Sequence, residues 1–281
     1  MLGANGMLGS AVLAALKHGG VTAVGSSRDG AGAAIAFEAR EGDAGACIDA
    51  AGGATLVVNA IGCIKPLIDD ADAESRRAAI AVNADFPHRL AAAAAERQVH
   101  VVQVETDCVY AGRSGPYAES SPHDPTDVYG RSKSLGEVPA ANVTHLRCSL
   151  VGPEVGRRRS LWEWVAGLPP DAAITGFTDH LWNGLTSQAF GRICAGIARA
   201  EWRTPGTFHV VPADAVSKDE LVRLIAVATG RSDLRITSGT GPTPVDRRLA
   251  TEHDDVNQAL WTMGGYASPP SIAEMIDDVG G

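Results

Sequence analysis

The sequence lacks the cysteine and histidine clusters that mark metal sites and disulfide frameworks. Its five cysteines are widely spaced with no C-x-x-C motif, and its eight histidines form no H-x-x-x-H pair. Structural zinc sites and disulfide-stapled folds depend on such spacings. We therefore expect no disulfide framework and no metal ligands.

Long apolar runs are absent as well. No stretch approaches the roughly 18 apolar residues of a membrane-spanning helix, and the N-terminus has neither the charged region nor the apolar stretch of a signal peptide. We therefore expect a cytoplasmic protein with no membrane partner. The 281 residues, 45% of them hydrophobic, suffice for one large domain or two unequal lobes with a buried core.

Basic residues are outnumbered. The chain has 24 lysines and arginines against 33 acidic residues, a formal net charge of −9. Non-specific binding to a nucleic acid requires a basic surface that displaces counterions, so the charge balance argues against a nucleic-acid partner. The net charge does not exclude binding of small anionic ligands, because a few local arginines are enough to bind them.

Short apolar runs alternate with helical segments in the first half of the chain. Strand patterns occupy residues 21–25, 55–59, 99–104 and 144–150, and helix patterns include 10–17, 73–96 and 129–137. This alternation predicts the α/β class with a doubly wound (Rossmann) parallel sheet over 1–151. Beyond it the periodicity loosens, which predicts a smaller C-terminal lobe over 152–281, apart from a strand near 206–211 that returns to the sheet.

The N-terminal stretch MLGANGMLGS carries a glycine motif. Gly3, Gly6 and Gly9 have the spacing G-x-x-G-x-x-G at the head of a β-α-β pattern. Such glycines let the backbone turn sharply beside a pyrophosphate, and the following helix offers free N–H groups. The motif predicts a dinucleotide-binding loop formed by Gly3, Asn5, Gly6, Met7 and Leu8.

Only Met1 and Leu2 precede this loop, although a complete strand is expected there. That strand is the central one of a doubly wound sheet, and its neighbours on both sides pair with it. We therefore expect the first strand to be truncated here, with Met1 an internal methionine of a chain that begins several residues upstream.

The residues about 20 positions after the loop select the cofactor. An acidic side chain at this point would bind the ribose hydroxyls of NAD, but the sequence has Ser26, Ser27 and Arg28. These residues suit a 2′-phosphate, which favours NADPH and makes 1–151 an NADP-binding domain. A solvated arginine at a strand end is the alternative interpretation.

A second motif combines a strand end with a helix. Tyr129 and Lys133 lie four residues apart and share one helix face, and Thr106 and Asp107 end an apolar strand. A lysine beside a phenol favours the phenolate, so we expect Lys133 to lower the pKa of Tyr129. Open α/β sheets bind ligands at the carboxyl ends of their strands, where Thr106 and Asp107 would lie.

Taken in order, GANGMLGS, VVNAIG, AVNAD, TDCVY, PYAE, YGRSKSLGE and GFTDHLWNGLTS resemble the extended short-chain dehydrogenase/reductases. Within that group the sequence is most similar to the dTDP-4-dehydrorhamnose reductase (RmlD-like) family of nucleotide-sugar reductases. The resemblance covers nearly the whole chain. It implies NADPH-dependent reduction of a 4-keto sugar bound to a nucleotide diphosphate, in deoxysugar biosynthesis, and it leaves a homodimer open.

The resemblance also implies roles for individual residues. Tyr129 would donate the proton, Lys133 would hold the nicotinamide ribose, and Thr106 would bind the reacting carbonyl, with Asp107 completing the site. The adenosine side of the cofactor would be lined by four consecutive residues: Asn59, Ala60, Ile61 and Gly62. Asn83 would lie behind the catalytic helix.

Differences from related families narrow the range of reactions expected of this chain. Nucleotide-sugar 4,6-dehydratases carry an Asp-Glu pair after the threonine, whereas this chain has Asp107 and Cys108, and epimerases usually have a serine-rich strand. Simple reduction is favoured, with an epimerase or a non-catalytic NADP-binding regulatory subunit as alternatives. Glu105 stands where the family often has serine, and because burying an unpaired carboxylate is costly we expect it to reach solvent at the sheet edge.

Substrate contacts are expected from the C-terminal lobe and from the residue after Asp107. The candidates are Cys108, Trp162, Asn183 and Arg247. Trp162 and Trp164 point in different directions on a helix, so only one of them can face a sugar, and Asn183 suits a ligand contact and a structural turn equally. The run Arg157, Arg158 and Arg159 is either a solvated loop or a diphosphate contact.

Overall fold

The structure is a computed structural model that describes residues 1–154 and 159–280. The described part contains ten α-helices: α1 (Met7–His18), α2 (Ala44–Ala50), α3 (Ala73–Ile80), α4 (Phe86–Glu96), α5 (Val128–Leu135), α6 (Leu161–Ala166), α7 (Ser187–Arg199), α8 (Lys218–Ala228), α9 (Asp254–Met263) and α10 (Ile272–Gly280). Its strands are β1 (Ser26–Ser27), β2 (Ile35–Ala36), β3 (Leu56–Asn59), β4 (His100–Thr106), β5 (Val143–Cys148), β6 (Leu150–Val151), β7 (Ala173–Phe177), β8 (His180–Trp182), β9 (Leu185–Thr186), β10 (Gly206–His209), β11 (Val216–Ser217), β12 (Arg235–Gly239) and β13 (Val245–Asp246).

The main sheet has the spatial order β2, β1, Leu2, β3, β4, β5, β10, and its pairings are parallel. Leu2 forms isolated bridges to Ser26 and Asn59, and its N–H donates to the Val58 carbonyl oxygen at 2.9 Å. Leu2 thus holds the central place, and the chain winds outward on both sides of it. This order confirms the predicted doubly wound α/β class. The expected upstream strand stays a prediction.

Two predicted elements differ from the structure. Residues 21–25 form no strand. Residues 21–24 and 54–58 instead line a common cavity of about 260 Å³. The predicted helix over 73–96 is interrupted by a π-helical turn at Ala81–Asp85. Pro87 has no N–H to donate to the Asn83 carbonyl four residues earlier, and the helix widens at that point.

Helices cover both faces of the sheet. On one face, Val12 of α1 and Phe190 and Ile193 of α7 belong to the same buried cluster as Val58 and Val102. The opposite cluster contains Phe86, Leu90 and Ala94 of α4, with Val57, Val101 and Val143. Because α7 lies beyond residue 151, the C-terminal part of the chain contributes to the sheet layers as well as to the smaller lobe.

The smaller lobe is built from short strand pairs and helices. Strand β12 pairs in parallel with β7, and β8 pairs with β11 and β13. Helix α8 contacts β7, β8, β11 and β12, and helices α6 and α10 pack against α8. No helix within residues 1–154 and 159–280 is long and apolar enough to cross a membrane.

Arg147 forms the centre of a buried charged network on β5. Its side chain is almost completely buried, and its guanidinium donates to Glu137 Oε2 at 2.7 Å, to the Tyr110 hydroxyl at 2.9 Å and to His123 Nε2 at 3.0 Å. It also donates to His209 Nε2 at 2.6 Å. The network joins β5, β10 and the loop before α5 into one unit.

His209 makes the stability of this network depend on pH. Its Nε2 accepts from Arg147 and its Nδ1–H donates to the Ala250 carbonyl at 2.6 Å, so the ring is neutral. Burial, and secondarily Arg147, lowers the pKa of His209 to about 4. Since an unfolded histidine titrates near 6.5, the unfolded state binds more protons between these values, and stability falls as the pH drops from about 6.5 towards 4.

We expect His209 alone to account for about 2–3 kcal/mol of this acid-side loss. The measurement is the free energy of unfolding by urea at a series of pH values. His209→Gln should flatten the slope between pH 6.5 and 4, while His18→Gln, at an exposed position, should not. Equal slopes for the His209→Gln variant and the wild type would contradict the assignment.

Candidate active site

The carboxyl edge of the main sheet brings the two sequence motifs together. The glycine loop follows Leu2, Ala60 follows β3, and β4 ends at Thr106, all at this edge. A 3₁₀ turn at Asp107–Val109 follows Thr106, and α5 then carries Tyr129 and Lys133 across the same region. The parallel register therefore places the predicted cofactor loop beside the predicted catalytic residues.

The glycine loop has the geometry of an anion-binding turn. Gly3 has a φ of +79°, and a Cβ at Gly9 would collide with the Gly3 carbonyl oxygen, so the turn and the helix approach that closely only with glycine at these positions. Helix α1 begins after Gly6, and no described side chain caps it. Its first N–H groups and its dipole are therefore available to a phosphate near Asn5, Met7 and Leu8.

Ser26, Ser27 and Arg28 end the neighbouring strand β1. The Ser26 hydroxyl is buried and has no hydrogen-bond partner among the described residues, while the Ser27 hydroxyl lies 3.2 Å from the Ala31 carbonyl oxygen. Arg28 is exposed. The carboxylate of the following residue, Asp29, accepts a hydrogen bond from the Ala31 N–H at 3.0 Å. The side chain that projects freely from this strand end is thus the arginine, not the aspartate.

The loop after β3 is shaped by two asparagines. Asn59 Oδ1 accepts from the Ile61 N–H at 3.1 Å, and its Nδ2 donates to Gln103 at 2.8 Å. The Asn59 amide therefore shapes the turn, and the Ala60–Gly62 segment continues beside Gly3.

Asn83 connects this loop to the catalytic helix. Its Oδ1 accepts from the Cys63 N–H at 2.7 Å, and its Nδ2 donates to the Ser132 hydroxyl at 3.1 Å. Asn83 thus lies behind α5, and the π-helical turn that contains it carries the link between the two elements.

Thr106 and Tyr129 converge at the end of β4. The Thr106 hydroxyl donates to Asp107 Oδ1 at 3.2 Å and accepts from the Cys108 N–H at 3.2 Å. The Tyr129 phenol lies close enough to Thr106 for that residue to influence its pKa. Thr106 and Asp107 are buried, and Tyr129 is half-buried. Two hydroxyl groups therefore meet at one point, where they can bind a single carbonyl oxygen together.

Two expectations about this site are wrong. Glu105 is 2% exposed and does not reach solvent: its Oε2 lies 2.9 Å from Lys133 Nζ, and its Oε1 lies 3.4 Å from His145 Nδ1. Lys133 is therefore engaged by a carboxylate and does not act on Tyr129 as an unpaired cation. The pKa of Tyr129 is raised, first by burial and then by Cys108, instead of lowered.

The end of β4 also faces two cations from the smaller lobe. Burial raises the pKa of Asp107, and Arg247 and Lys218 oppose this shift. Arg247 Nε donates to the Tyr110 carbonyl at 2.9 Å, which fixes its guanidinium next to the 3₁₀ turn. Burial, and secondarily Asp107, raises the pKa of the Cys108 thiol to about 12, so the thiol is protonated and uncharged at neutral pH.

Lys218 is a site residue that the sequence reasoning missed. It begins α8, its ammonium lies 5.3 Å from the centroid of the Trp182 ring, and burial lowers its pKa to about 8. No local pattern links a lysine at the start of α8 to the end of β4. Only the packing of the smaller lobe against the sheet brings the two together.

The other predicted substrate residues have structural contacts. Asn183 Nδ2 donates to the Leu249 carbonyl at 2.7 Å and its Oδ1 accepts from the Leu249 N–H at 2.9 Å, which favours the structural-turn interpretation. Trp162 is buried in the hydrophobic core, whereas Trp164 is exposed. Arg157 and Arg158 lie outside the described residues.

Comparison with known proteins agrees with this geometry. The family model of the RmlD substrate binding domain matches residues 1–151, more than half of the chain. The chain belongs to this family. The predictions of an RmlD-like family member and of an oxidoreductase are confirmed.

Relatives and solved structures show how far the likeness extends. The probable low-salt glycan biosynthesis reductase Agl14 of Haloferax volcanii is 28% identical over 262 residues, which cover 88% of this chain and 85% of the relative. The dTDP-4-dehydrorhamnose reductase of Sinorhizobium fredii is 42% identical over 95 residues, 32% of each chain. The structure of a Clostridium acetobutylicum dTDP-4-dehydrorhamnose reductase superposes with a TM-score of 0.76 at 20% identity, covering 99% of this chain and 96% of that chain. At that identity the superposition shows the fold alone.

Proposed function

We propose that this RmlD family member catalyses the NADPH-dependent reduction of a 4-keto nucleotide sugar in deoxysugar biosynthesis. The observation that carries the proposal is the convergence of the Thr106 and Tyr129 hydroxyls at the carboxyl edge of the sheet, beside the glycine loop. The names of the relatives support it, since both the Haloferax and the Sinorhizobium proteins are called reductases.

The residues at this edge fit NADPH. Gly3, Gly6 and the uncapped start of α1 would hold the diphosphate. The exposed Arg28 would hold the 2′-phosphate with Ser27, whereas the Ser26 hydroxyl is buried and Ser26 lines the internal cavity. Ala60, Ile61 and Gly62 would line the adenosine side. When bound, the cofactor supplies the hydride that the protein itself cannot provide.

The protein's part of the reaction is to orient the ketone and to supply a proton. The Tyr129 hydroxyl would donate a hydrogen bond to the carbonyl oxygen, and the Thr106 hydroxyl would turn its one proton from Asp107 to the same oxygen. Both would stabilise the negative charge that develops there. Tyr129 would then transfer its phenolic proton to that oxygen, which yields a secondary alcohol. Lys133 would contribute its remaining N–H to the nicotinamide ribose.

The raised pKa of Tyr129 favours reduction over the alternative reactions. A reductase needs the protonated phenol as its acid, and burial maintains that form. An epimerase of this fold would begin by oxidising an alcohol, for which the phenolate must act as the base. A regulatory subunit has no need of the Thr106, Tyr129 and Lys133 set, and its presence supports catalysis.

Recognition of the nucleotide sugar is assigned to the face opposite the cofactor. Arg247 and Lys218 supply positive charge near Asp107 and Cys108, where part of a sugar diphosphate would lie. Trp162 and Asn183 would support nucleotide-sugar binding indirectly, because they help to hold the smaller lobe together.

Oxidation of NADPH in the presence of a panel of dTDP-, UDP- and GDP-linked 4-keto sugars tests the proposal. We expect at least one of them to be reduced, and a matched panel of the corresponding 4-hydroxy sugars to leave NADPH unchanged. If no keto sugar is reduced at any pH between 5 and 9 by protein that binds NADPH, the proposed reaction is wrong.

Arg28 should determine the choice between the two nicotinamide cofactors. Because a hydrogen bond to a charged group contributes roughly 1.5–3 kcal/mol, Arg28→Ala is expected to weaken NADPH binding about tenfold or more and to leave NADH binding nearly unchanged. Fluorescence titration with each dinucleotide measures this, with Arg192→Ala on the outer surface of α7 as the control. An equal loss for both dinucleotides would argue against a contact to the 2′-phosphate.

A further inference from the structure

Glu105 forms a buried ion pair with the lysine of the catalytic motif. The Glu105 side chain is fully buried, the Lys133 side chain is 7% exposed, and Oε2 of one lies 2.9 Å from Nζ of the other. Lys133 Nζ also donates to the Val104 carbonyl at 2.8 Å. The Val104 contact has hydrogen-bond geometry, whereas Glu105 Oε2 is paired with the ammonium by charge and distance alone. An ammonium has three N–H groups, so at least one stays available for the cofactor side.

Other charged or titratable groups face Glu105 from three directions. They are Lys133 and Tyr129 from α5, His145, Arg147 and Cys148 from β5, and His123 from the loop before α5. Arg147 is paired with Glu137 at 2.7 Å, and the Nε2 of His145 donates to the Val138 carbonyl at 2.9 Å. Because Arg147 is already paired with Glu137, Lys133 is the cation in direct contact with Glu105.

We propose that Glu105 is a positioning residue. Its ion pair with Lys133 holds the lysine ammonium in place and partly cancels the electrostatic effect of that ammonium on Tyr129. Glu105 touches neither substrate nor cofactor and acts through Lys133. By this means Tyr129 is kept in its proton-donating form. The proposal rests on the proposed reductase function for its catalytic meaning, but the charge relationship itself does not depend on the substrate.

The effect of the Glu105–Lys133 ion pair on the pKa of Tyr129 follows from electrostatics. A buried cation one helical turn from a phenol would lower the pKa of that phenol by about one unit or more if nothing compensated it. With the carboxylate at 2.9 Å from the ammonium, the pair presents a dipole to Tyr129 instead of a full charge. The pKa of Tyr129 is raised chiefly by burial, and the Glu105 carboxylate is among the lesser groups that raise it, which agrees with this arrangement.

The test compares ionisation of Tyr129 in the wild type and in Glu105→Gln, which keeps the shape of the side chain and removes its charge. Near-ultraviolet tyrosinate absorbance is titrated in each protein, with the matching Tyr129→Phe variant subtracted so that only Tyr129 is seen. We expect Glu105→Gln to begin ionising at least about one pH unit earlier than the wild type. Circular dichroism at each pH confirms that the protein is folded.

Glu137→Gln is the matched control, because it breaks the neighbouring buried ion pair with Arg147 without touching Lys133. It should lower stability but leave the onset of Tyr129 ionisation where the wild type has it. If Glu105→Gln does not fold, Glu105→Ser carries the same test with the residue that the resembled family often has at this position.

With a nucleotide-sugar alcohol and NADP⁺, Glu105→Gln should also oxidise the alcohol several-fold faster than the wild type at a fixed alkaline pH, since more phenolate is present. An unchanged onset of ionisation in the folded variant overturns the proposal. An earlier onset in a protein that reduces no 4-keto sugar supports the role of Glu105 and overturns the proposed function instead.

Discussion

Tyr129→Phe is expected to reduce the rate of keto-sugar reduction by about 10²–10⁴-fold, the range typical for loss of a positioned general acid. The substitution removes one hydroxyl that donates to the carbonyl oxygen and the only proton that the site is proposed to transfer. Binding of NADPH should change less than about threefold, because the phenol contributes to the transition state more than to the bound cofactor. Steady-state kinetics together with a fluorescence titration of NADPH separates the two effects.

Tyr266→Phe is the control for this substitution. Tyr266 follows α9, and its hydroxyl accepts from Arg192 of α7 at 3.3 Å. We expect its kcat to stay within about twofold of the wild type. A Tyr129→Phe variant that retains most of the wild-type kcat would remove Tyr129 from its role as proton donor.

Arg147→Met is expected to lower the free energy of unfolding by about 3–5 kcal/mol, the usual cost of breaking a buried ion pair by removing one partner. The substitution leaves the Glu137 carboxylate, which is 13% exposed, without its cation. It also leaves Tyr110 and His209 without a donor in a region that water does not reach. Urea unfolding followed by circular dichroism measures the loss.

Two variants show whether this loss comes from the buried pair. Arg192→Met removes a pair with Asp278 whose side chains are 48% and 42% exposed, and should cost less than about 1 kcal/mol. The double variant Arg147→Met/Glu137→Met should recover part of the stability, since no uncompensated carboxylate remains. If Arg147→Met unfolds within about 1 kcal/mol of the wild type, the network does not stabilise the fold in the way described.

Much of the site could be predicted because it depends on short-range spacing. The four-residue interval between Tyr129 and Lys133 puts them on one face of α5, and Thr106 ends β4 where an apolar run ends. The glycine turn follows from the conformations that residues with a Cβ avoid. The π-helical turn before Pro87 was missed, although the missing N–H of that proline is a signal that a reading of the sequence could have used.

The expectation for Glu105 failed because a single strand does not reveal which strands flank it. The cost of burying a carboxylate was estimated correctly, but its partners come from α5 and from β5, 28 and 40 residues further along the chain. Asn183 shows the same limitation for a residue whose sequence context fitted a ligand contact and a structural turn equally well. Its amide is committed to the backbone of Leu249, a contact that no local turn pattern indicates.

By itself the sequence determined the α/β alternation, the glycine loop and the order of Thr106, Tyr129 and Lys133, because these follow from backbone periodicity and local stereochemistry. Only the tertiary structure decided how the charges are paired. It placed Glu105 under Lys133, Arg147 among Glu137 and two histidines, and Lys218 near Asp107. The physical reason is that the energy of a charge depends on its burial and on its nearest opposite charge, and both are set by packing between segments far apart in the chain.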